Sequence, residues 1–164
     1  MADIKVIYGS STGSTESAAH KIAAALNADC VNVAKATADD FKASTLILGT
    51  STWGFGELQD DWQSGIDHLQ AADLSNTTVA LFGFGDQESF CDTYLDAMGI
   101  LYEAVASKAA KIVGKTSVEG YNHNASRAVV DGAFCGLALD DVNEANKTEA
   151  RIDAWVKQIL NEMA

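Results

Sequence analysis

The stretch that decides the fold is Ile4-Lys5-Val6-Ile7-Tyr8-Gly9-Ser10-Ser11-Thr12-Gly13-Ser14-Thr15-Glu16, an apolar strand followed by a hydroxyl-rich turn. The next segment, Ser14 to Leu26, predicts a helix, so the turn leads directly into a helix N-terminus. Free backbone N–H groups and the positive end of the helix dipole favour an anion there. A turn with a single Ser or Thr cap is the plain alternative, but the five hydroxyl side chains exceed what one cap needs. We therefore predict that Ser10 to Thr15 bind a phosphate group.

The same turn argues against three better-known motifs. No Lys or Arg lies between Lys5 and Lys21, whereas a Walker loop needs a lysine on the β- and γ-phosphates. The glycine spacing does not match the GxGxxG fingerprint of dinucleotide-binding proteins. Gly9 to Gly13 formally match the GxSxG pattern of hydrolases, but no histidine lies near a recognisable acid partner. A neutral turn of this kind favours one terminal phosphate rather than a triphosphate with magnesium.

Outward from this turn, short apolar strands alternate with helix-length amphipathic segments to the end of the chain. The predicted strands are Ile4–Tyr8, Cys30–Val33, Thr45–Leu48, Thr78–Phe82 and a fifth that begins at Lys111–Val113. One helix carries Leu95, Met98 and Val105, and the last helix carries an apolar stripe from Ile152 behind a predicted Thr148 cap. Strands that are apolar throughout and alternate with helices predict a parallel sheet with helices on both faces. In such a sheet the ligand lies at the carboxyl ends of the strands.

One stretch interrupts this alternation. From about residue 115 to residue 135 the chain is rich in Gly, Asn and Ser and loses its periodicity, before an apolar run at Gly136–Leu139. A segment of that length without an element of its own is uncommon in a compact domain. We interpret it as an insertion in the fifth strand.

Two aromatic and glycine-rich loops follow the third and fourth predicted strands. The first is Gly49-Thr50-Ser51-Thr52-Trp53-Gly54-Phe55-Gly56-Glu57, and the second runs from Gly83 to Phe90. A tryptophan in such a loop either packs into the core or stacks on a flat ligand. Both loops follow strands that should neighbour the first strand, so both are expected beside the phosphate site. A ring system with a phosphate tail fits this arrangement, which indicates FMN.

The whole chain resembles the long-chain flavodoxins. The phosphate loop of that family appears as Ser10-Ser11-Thr12-Gly13-Ser14-Thr15-Glu16, and its tryptophan loop as Thr52-Trp53-Gly54-Phe55-Gly56-Glu57 through Asp61-Trp62. Its second flavin loop appears as Phe82-Gly83-Phe84-Gly85-Asp86-Gln87. The segment after residue 115 is similar to the insertion of the long-chain members, and the tail, including Gly136 to Asp140, resembles members that serve nitrogen fixation.

The resemblance implies a single flavodoxin-like domain over residues 1–164. The expected architecture is a three-layer α/β sandwich with a five-stranded parallel sheet of order 2-1-3-4-5, helices on both faces and an insertion in the last strand. Its residue roles are carried over to matching positions only. Ser10, Ser11, Thr12, Gly13, Ser14 and Thr15 would hold the phosphate, and Trp53 would cover one flavin face. The ring would be framed by Thr50, Ser51, Thr52, Gly54, Phe55, Gly56, Gly83, Phe84, Gly85, Asp86 and Gln87.

Phe90 stands where the family usually has a tyrosine over the second flavin face. Its ring can still stack, but the hydroxyl is lost. The Gly54 carbonyl is the group expected to turn toward flavin N5 on reduction.

The function implied is that of a low-potential one-electron carrier. The non-covalently bound FMN would cycle between semiquinone and hydroquinone, no residue would be catalytic, and no metal would be bound. The expected partners are basic-faced redox enzymes: donors of the flavodoxin reductase or pyruvate-flavodoxin oxidoreductase type, and nitrogenase reductase as an acceptor. We expect a monomer.

Composition and charge support a cytoplasmic carrier. Hydrophobic residues make up 48% of the chain and the net charge is −12, which excludes a disordered chain and disfavours nucleic acid and anionic membranes. No apolar run is long enough to span a bilayer, and Met1-Ala2-Asp3 leads directly into a strand, so no signal peptide is expected. Three widely spaced cysteines indicate reduced thiols, and the three histidines show no zinc-ligand spacing.

The acidic residues are unevenly distributed. No Lys or Arg lies between Lys42 and Lys108, a stretch that carries ten carboxylates from Glu57 through Glu103. Either this stretch is a solvated acidic surface, or it is a docking face for basic partners. Because the predicted flavin loops lie in the same stretch, the docking face is the sharper interpretation.

Two other functions are compatible with a sheet of this kind. An FMN-dependent NAD(P)H:quinone reductase would need a substrate pocket above the ring, which the sequence does not exclude. A phospho-accepting receiver domain would need acids directly after strand one and at the end of strand three, where Gly9-Ser10 and Gly49 stand instead. The receiver domain is therefore disfavoured, and the reductase stays open as the alternative.

Overall fold

A computed structural model describes residues 4–10, 13–53 and 57–163, with Trp53 described by its backbone alone. Five β-strands and four α-helices form the frame. The strands are β1 (Ile4–Tyr8), β2 (Asp29–Asn32), β3 (Thr45–Trp53), β4 (Glu57–Leu58) and β5 (Thr78–Phe84). The helices are α1 (Ser14–Leu26), α2 (Asp60–Ala71), α3 (Asp96–Val105) and α4 (Ala145–Met163). Two 3₁₀ turns, Val33–Lys35 and Ala38–Lys42, stand between β2 and β3 where the alternation predicts a helix.

Five further short strands complete the chain: β6 (Lys111–Val113), β7 (Thr116–Ser117), β8 (Val129–Val130), β9 (Ala133–Phe134) and β10 (Leu137–Leu139). Both β6 and β10 pair in parallel with β5, β6 along Thr78 to Ala80 and β10 along Phe82 to Phe84. They are thus two halves of one edge strand. The main sheet has the order β2-β1-β3-β5 followed by this split strand, and β4 pairs antiparallel with the end of β3. The predicted fold, strand order and interrupted fifth strand are therefore confirmed.

The insertion between the two halves is more ordered than the sequence indicates. Strands β7, β9 and β8 form a small antiparallel sheet, so the segment has an element of its own. Its Phe134 and Cys135 are fully buried in the same core cluster as β3, β5 and α3. The expectation of a segment without secondary structure was wrong, because strands of two residues are too short to show an alternating pattern.

Each face of the sheet carries its own hydrophobic core. On one face Val6, Ile47 and Phe82 pack against α1 and α4, with Trp155 of α4 edge-on to Phe82. On the other face Leu48 and Leu81 pack against α2, α3 and the insertion. Successive strand residues alternate between the two clusters, which explains why the strands are apolar at every position.

The last helix begins earlier than predicted. It starts at Ala145, so Thr148 lies within it, and the Thr148 hydroxyl donates a hydrogen bond to Asp141. The turn before the helix is held by Asp140, whose carboxylate accepts from the backbone N–H groups of Val142 and Asn143 at 3.0 Å each. Thr148 is therefore not the cap, because this turn allows the helix to start three residues before it.

Candidate functional site

The register of the sheet brings the ends of four strands to one edge. Tyr8 pairs with Gly49, Gly49 with Phe82, and Phe82 with Leu137. Beyond this level the Gly9 N–H donates to the Gly49 carbonyl at 3.0 Å. The loops that follow β1, β3 and β5 therefore converge at one end, as predicted for a ligand site at the carboxyl ends of the strands.

The loop after β1 presents polar groups to this edge without a positive charge. Gly13 lies at the N-terminus of α1 with φ +94°, and no side chain of the described residues caps the helix. The Ser10 hydroxyl oxygen accepts from the Gly13 N–H at 3.0 Å, which leaves its own proton free to be donated. Ser14 is half-buried and Thr15 is fully buried in the first turn. Ser11 and Thr12, also predicted to bind phosphate, lie outside the described residues.

The Glu16 carboxylate, which follows this loop in the first turn of α1, is hydrogen-bonded to strand β1. The Tyr8 hydroxyl donates to the Glu16 carboxylate at 2.8 Å. Burial, with the bond to Glu16, raises the pKa of the Tyr8 hydroxyl to about 12. Burial and the same carboxylate raise the pKa of the nearby Cys30 thiol to about 11, so this thiol stays protonated. Glu16 is thus held by the core strand rather than left unpaired beside the expected phosphate.

Two residues at the start of α2 lie close to the first residue of the loop after β1. The Trp62 indole N–H donates to the Gly49 carbonyl at 2.7 Å, and its side chain is fully buried. Gln59 caps α2 by accepting from the Asp61 and Trp62 backbones. A Cβ on Gly9 would lie 2.3 Å from the Gln59 amide oxygen and 2.6 Å from the Trp62 ring. Glycine at position 9 is therefore required by close approach, a packing role that the sequence did not reveal.

The predicted tryptophan loop begins later than expected. Strand β3 continues through Thr50, Ser51 and Thr52 to Trp53, and the chain returns as β4. Thr50 and Ser51 are buried strand residues, and the Thr52 hydroxyl accepts from the Ala97 N–H of α3 at 3.1 Å. The side chain of Trp53 and the residues Gly54, Phe55 and Gly56 lie outside the described residues, so their expected places around the ring stay predictions.

The second flavin loop is also shorter than predicted. Gly83 and Phe84 belong to β5, and the Phe84 side chain packs in the core beside α1 and α4. Gly85 begins the loop, and its N–H donates to the Leu139 carbonyl at 3.1 Å.

Within that loop Asp86 and Gln87 are structural anchors. Asp86 accepts from the Glu88 and Ser89 backbones and from the Asn143 side chain. Partial burial raises the pKa of Asp86, but these hydrogen bonds outweigh it and hold the pKa below its usual value. Gln87 is fully buried, and its bonds reach Asn122, Asp140 and Glu144. Sequence reasoning missed the last three residues, since they lie 35 to 57 positions away.

Phe90 is the candidate for one face of the ring. Its side chain is 43% exposed, whereas Phe41, Phe82, Phe84 and Phe134 are buried. An exposed aromatic side chain at the end of a loop has apolar area to bury against a ligand. The role carried over to Phe90 from the resemblance stays a prediction.

The fold and site together define a doubly wound α/β protein in which a hydroxyl-rich loop and a loop with an exposed aromatic side chain follow strands that end at the same edge of the sheet. Comparison with known proteins gives the family. The family model described as flavodoxin matches residues 6–155, and the chain belongs to the flavodoxin family. Flavodoxins are electron-transfer proteins and not enzymes.

The relatives match along their whole length. The chain is 42% identical to a flavodoxin of Synechocystis sp., over 97% of this chain and 96% of the relative. It is 41% identical to flavodoxin 2 of Escherichia coli, over 97% and 95%. Among solved structures, Fusobacterium nucleatum flavodoxin bound to flavin mononucleotide superposes with a TM-score of 0.93 at 31% identity, covering 99% of both chains.

Two further features of the described residues concern membrane-spanning helices and groups of side chains that could bind a metal ion. None of their helices is long and apolar enough to cross a membrane. They also contain no group of three or more His, Cys, Asp or Glu side chains arranged to hold a metal ion.

Proposed function

We propose that this chain binds one FMN non-covalently and carries electrons between redox enzymes. The observation that carries the proposal is that the loops after β1 and β5 start from the same end of the sheet, one leading to a helix N-terminus without a side-chain cap among the described residues and the other to the exposed Phe90. The FMN-bound flavodoxin of Fusobacterium nucleatum, with a TM-score of 0.93 to this chain, supports the same ligand.

The phosphate would be held by backbone and hydroxyl donors. Helix α1 starts without a side-chain cap among the described residues, so its first N–H groups are available to an anion. The Ser10 hydroxyl, already accepting from Gly13, can donate to a phosphate oxygen. The first turn also has the favourable end of the helix dipole. A doubly charged phosphate is thereby stabilised by dipoles and hydrogen bonds and not by a neutralising cation.

When bound, FMN supplies the redox chemistry, and the chain sets its potential. An acidic surface opposes further negative charge on the ring. One carboxylate at about 12 Å in an effective dielectric of about 40 costs roughly 0.7 kcal/mol, or about 30 mV for one electron. The exposed carboxylates that follow the ends of β3 and β5 belong to Glu57 on β4, to Asp60 at the start of α2, and to Glu88 and Asp92 in the loop after β5. Several such charges, together with the phosphate, support a low potential for the second electron.

The chain is further assigned to the long-chain type. Support comes from the split edge strand, in which residues 114–136 separate β6 from β10. Service in nitrogen fixation is a finer proposal that rests on the resemblance of the tail. Electron delivery to a nitrogenase reductase is the assay for it.

The partners proposed are basic-faced redox enzymes in the cytoplasm. The stretch without Lys or Arg, residues 43–107, includes β4, the start of α2 and the loop that carries Phe90. Acidic residues on both sides of an exposed aromatic side chain would steer a basic partner toward the flavin edge.

The test is a titration of the apoprotein with FMN and with riboflavin, followed by flavin fluorescence. FMN should bind one per chain, and riboflavin should bind far more weakly because it lacks the phosphate. Equal affinity for the two would overturn the phosphate site, and no binding of either would overturn the function.

A matched pair of glycine variants locates the phosphate. Gly13 and Gly132 both have positive φ, +94° and +83°, and an added Cβ meets no atom within 4 Å at either position. Alanine therefore adds the same kind of backbone strain at both. Gly13→Ala should weaken FMN binding, whereas Gly132→Ala should leave it unchanged.

A visible spectrum of the FMN-bound wild type during stepwise photoreduction checks whether the flavin is reduced in one-electron steps.

A further inference from the structure

Gln87 is a buried amide that joins three separate parts of the chain. Its side-chain oxygen accepts from the Asn122 backbone N–H at 2.7 Å. Its side-chain nitrogen donates to the carboxylates of Asp140 at 2.9 Å and Glu144 at 2.8 Å. Because a backbone N–H only donates and a carboxylate only accepts, these partners fix which end of the amide is oxygen.

The insertion contacts the same loop again beyond Phe90. The backbone N–H groups of Asn124 and Ala125 both donate to the Cys91 carbonyl, at 2.7 and 2.9 Å. The Ser126 hydroxyl donates to the Tyr94 carbonyl. The exposed Phe90 therefore lies between two points at which the insertion is hydrogen-bonded to the loop, one at Gln87 and one at Cys91.

The first helical turn of α4 and the insertion are linked on the far side of Gln87. Glu144 forms salt bridges with Arg151 at 2.8 Å and with Lys147 at 2.7 Å. The Arg151 guanidinium lies 4.5 Å from the centre of the Tyr121 ring, within cation–π distance. Gln87 thus occupies the middle of a polar network whose outer members are restrained by one another.

We infer that Gln87 is a positioning residue through which the insertion holds the loop from Gly85 to Phe90 in the conformation that receives the flavin ring. The inference rests on the proposed FMN site and gives the insertion a role in it. A loop already ordered by such bonds does not lose that conformational freedom when the ligand binds, so affinity rises without any new ligand contact. The contacts that carry the inference come from Asn122, Asp140 and Glu144.

The variant Gln87→Glu tests this with the smallest change of shape. Glutamate keeps an oxygen for the Asn122 N–H but places its second oxygen against two carboxylates. The charged form is repelled, and the protonated form restores one donor. The charged and titratable groups in and beside this network are Asp86, Tyr94, Tyr121, His123, Asp140, Glu144, Lys147 and Arg151.

We expect Gln87→Glu to bind FMN about tenfold more weakly than the wild type at pH 8. The ratio of the two dissociation constants should approach one as the pH falls to 5.5. The FMN phosphate also changes its charge over this pH range, but this affects both dissociation constants and cancels in their ratio. The matched control is Gln158→Glu, since the Gln158 side-chain nitrogen also donates to a carboxylate, that of Glu162, and in addition to the Lys115 carbonyl. This control should show no change in the ratio.

A second pair removes the link from the insertion side. Asn122→Pro removes the backbone N–H that donates a hydrogen bond to the Gln87 side-chain oxygen, whereas Asn122→Ala retains this N–H. We expect several-fold weaker FMN binding for the proline variant and binding within twofold of wild type for the alanine variant. Circular dichroism and thermal melting of each apoprotein establish that it is folded. If Gln87→Glu is unfolded at pH 8, the comparison of Asn122→Pro with Asn122→Ala tests the inference instead.

The inference is overturned if folded Gln87→Glu and Asn122→Pro bind FMN like the wild type. It is also overturned if they only lower the melting temperature of the apoprotein and leave the affinity unchanged. Failure of the wild type to bind FMN is a separate result, which refutes the proposed function itself.

Discussion

The Asp140 carboxylate accepts two hydrogen bonds from Gln87, one from its backbone N–H at 3.1 Å and one from its side-chain amide at 2.9 Å. The two residues are 53 positions apart, and both are fully buried. The bonds join the end of β10 to the loop after β5. The same carboxylate also accepts from the backbone and side chain of Asn143. Asp140 therefore connects the loop after β5 with the turn that precedes α4.

Replacing Asp140 by asparagine should destabilise the apoprotein by about 2–4 kcal/mol. An amide would turn a donor toward N–H groups that need an acceptor, and hydrogen bonds to a charged group contribute about 1.5–3 kcal/mol each. Urea unfolding at pH 7 measures the change. Asp153→Asn, an exposed site on α4, is the control and should change stability by less than about 0.5 kcal/mol. Equal effects of the two substitutions would contradict the structural role.

Gly9→Ala should destabilise the protein through overpacking, by about 1–3 kcal/mol. The new methyl group would lie 2.3 Å from the Gln59 side chain and 2.6 Å from Trp62. The phosphate loop would have to move, so FMN binding should weaken as well. Gly120→Ala is a useful comparison, because it has φ +85° and open space around it. That variant should lose stability but keep its FMN affinity, as shown by unfolding and flavin titration.

Phe90→Ala should weaken FMN binding while leaving the apoprotein about as stable as before. Its ring is 43% exposed, so little packing is lost, whereas an aromatic pair contributes about 0.5–1.5 kcal/mol beyond its buried area. Phe90→Tyr should keep the affinity. Leu160→Ala removes a side chain of similar exposure, 48%, on α4 and should not affect binding. Unchanged flavin affinity in Phe90→Ala would remove Phe90 from the site.

Glu144 should make stability depend on acid pH. Hydrogen bonds from Lys147, and then from Arg151 and Gln87, outweigh the effect of burial and lower the pKa of Glu144 to about 2. The folded protein thus favours the charged form more than the unfolded chain does. The resulting stabilisation is complete above about pH 4.5 and is lost as the pH falls toward 2.

The check is urea unfolding of the apoprotein at several pH values between 2 and 7. Glu144→Gln should be less stable than wild type at pH 7, and the difference between the two should shrink as the pH falls through this window. Glu149→Gln, an exposed carboxylate on the same helix, controls for loss of one charge. A difference that stays constant from pH 7 to pH 2 would contradict the assignment.

Electron transfer to a basic partner should slow as salt rises. The Debye length is about 8 Å at 0.15 M, so steering by a rim of carboxylates is screened. Neutralising Glu57, Asp60 and Asp61 together should slow association at low salt and flatten the salt dependence. Stopped-flow mixing measures both. Neutralising Glu119, Asp131 and Asp153, three exposed acids outside residues 43–107, is the control. An unchanged rate for the first triple variant would exclude the docking face.

The alternation of apolar strands and amphipathic helices was sufficient to predict the α/β sandwich. The loss of this alternation predicted the interruption of the fifth strand, and the hydroxyl-rich turn predicted a phosphate site, which stays a prediction. These are local signals, because strand and helix periods and the hydroxyl-rich turn are written in consecutive residues. The likeness in three ordered motifs supplied the flavodoxin family, which the comparisons confirm.

The ends of the two central strands were misjudged for a physical reason. Gly49 and Gly83 look like turn residues, but both are strand residues that allow close packing. A Cβ on Gly49 would lie 2.1 Å from the Phe82 ring, and one on Gly83 would lie 3.2 Å from Met98. A glycine selected for space and a glycine selected for a turn look the same in sequence.

Only the tertiary structure decided which side chains hold the site together. Gln87 looked like a residue that frames the ring, yet its buried amide is taken up by Asn122, Asp140 and Glu144. Asn122 lies in the insertion, and the two carboxylates lie in the turn between β10 and α4, so no local pattern marks them as partners of Gln87. Hydrophobic periodicity determines which face of an element is buried, and therefore the fold. The pairing of buried polar groups depends on distances between segments that exist only after the sheet has formed, because a buried amide or carboxylate must find a partner wherever the chain supplies one.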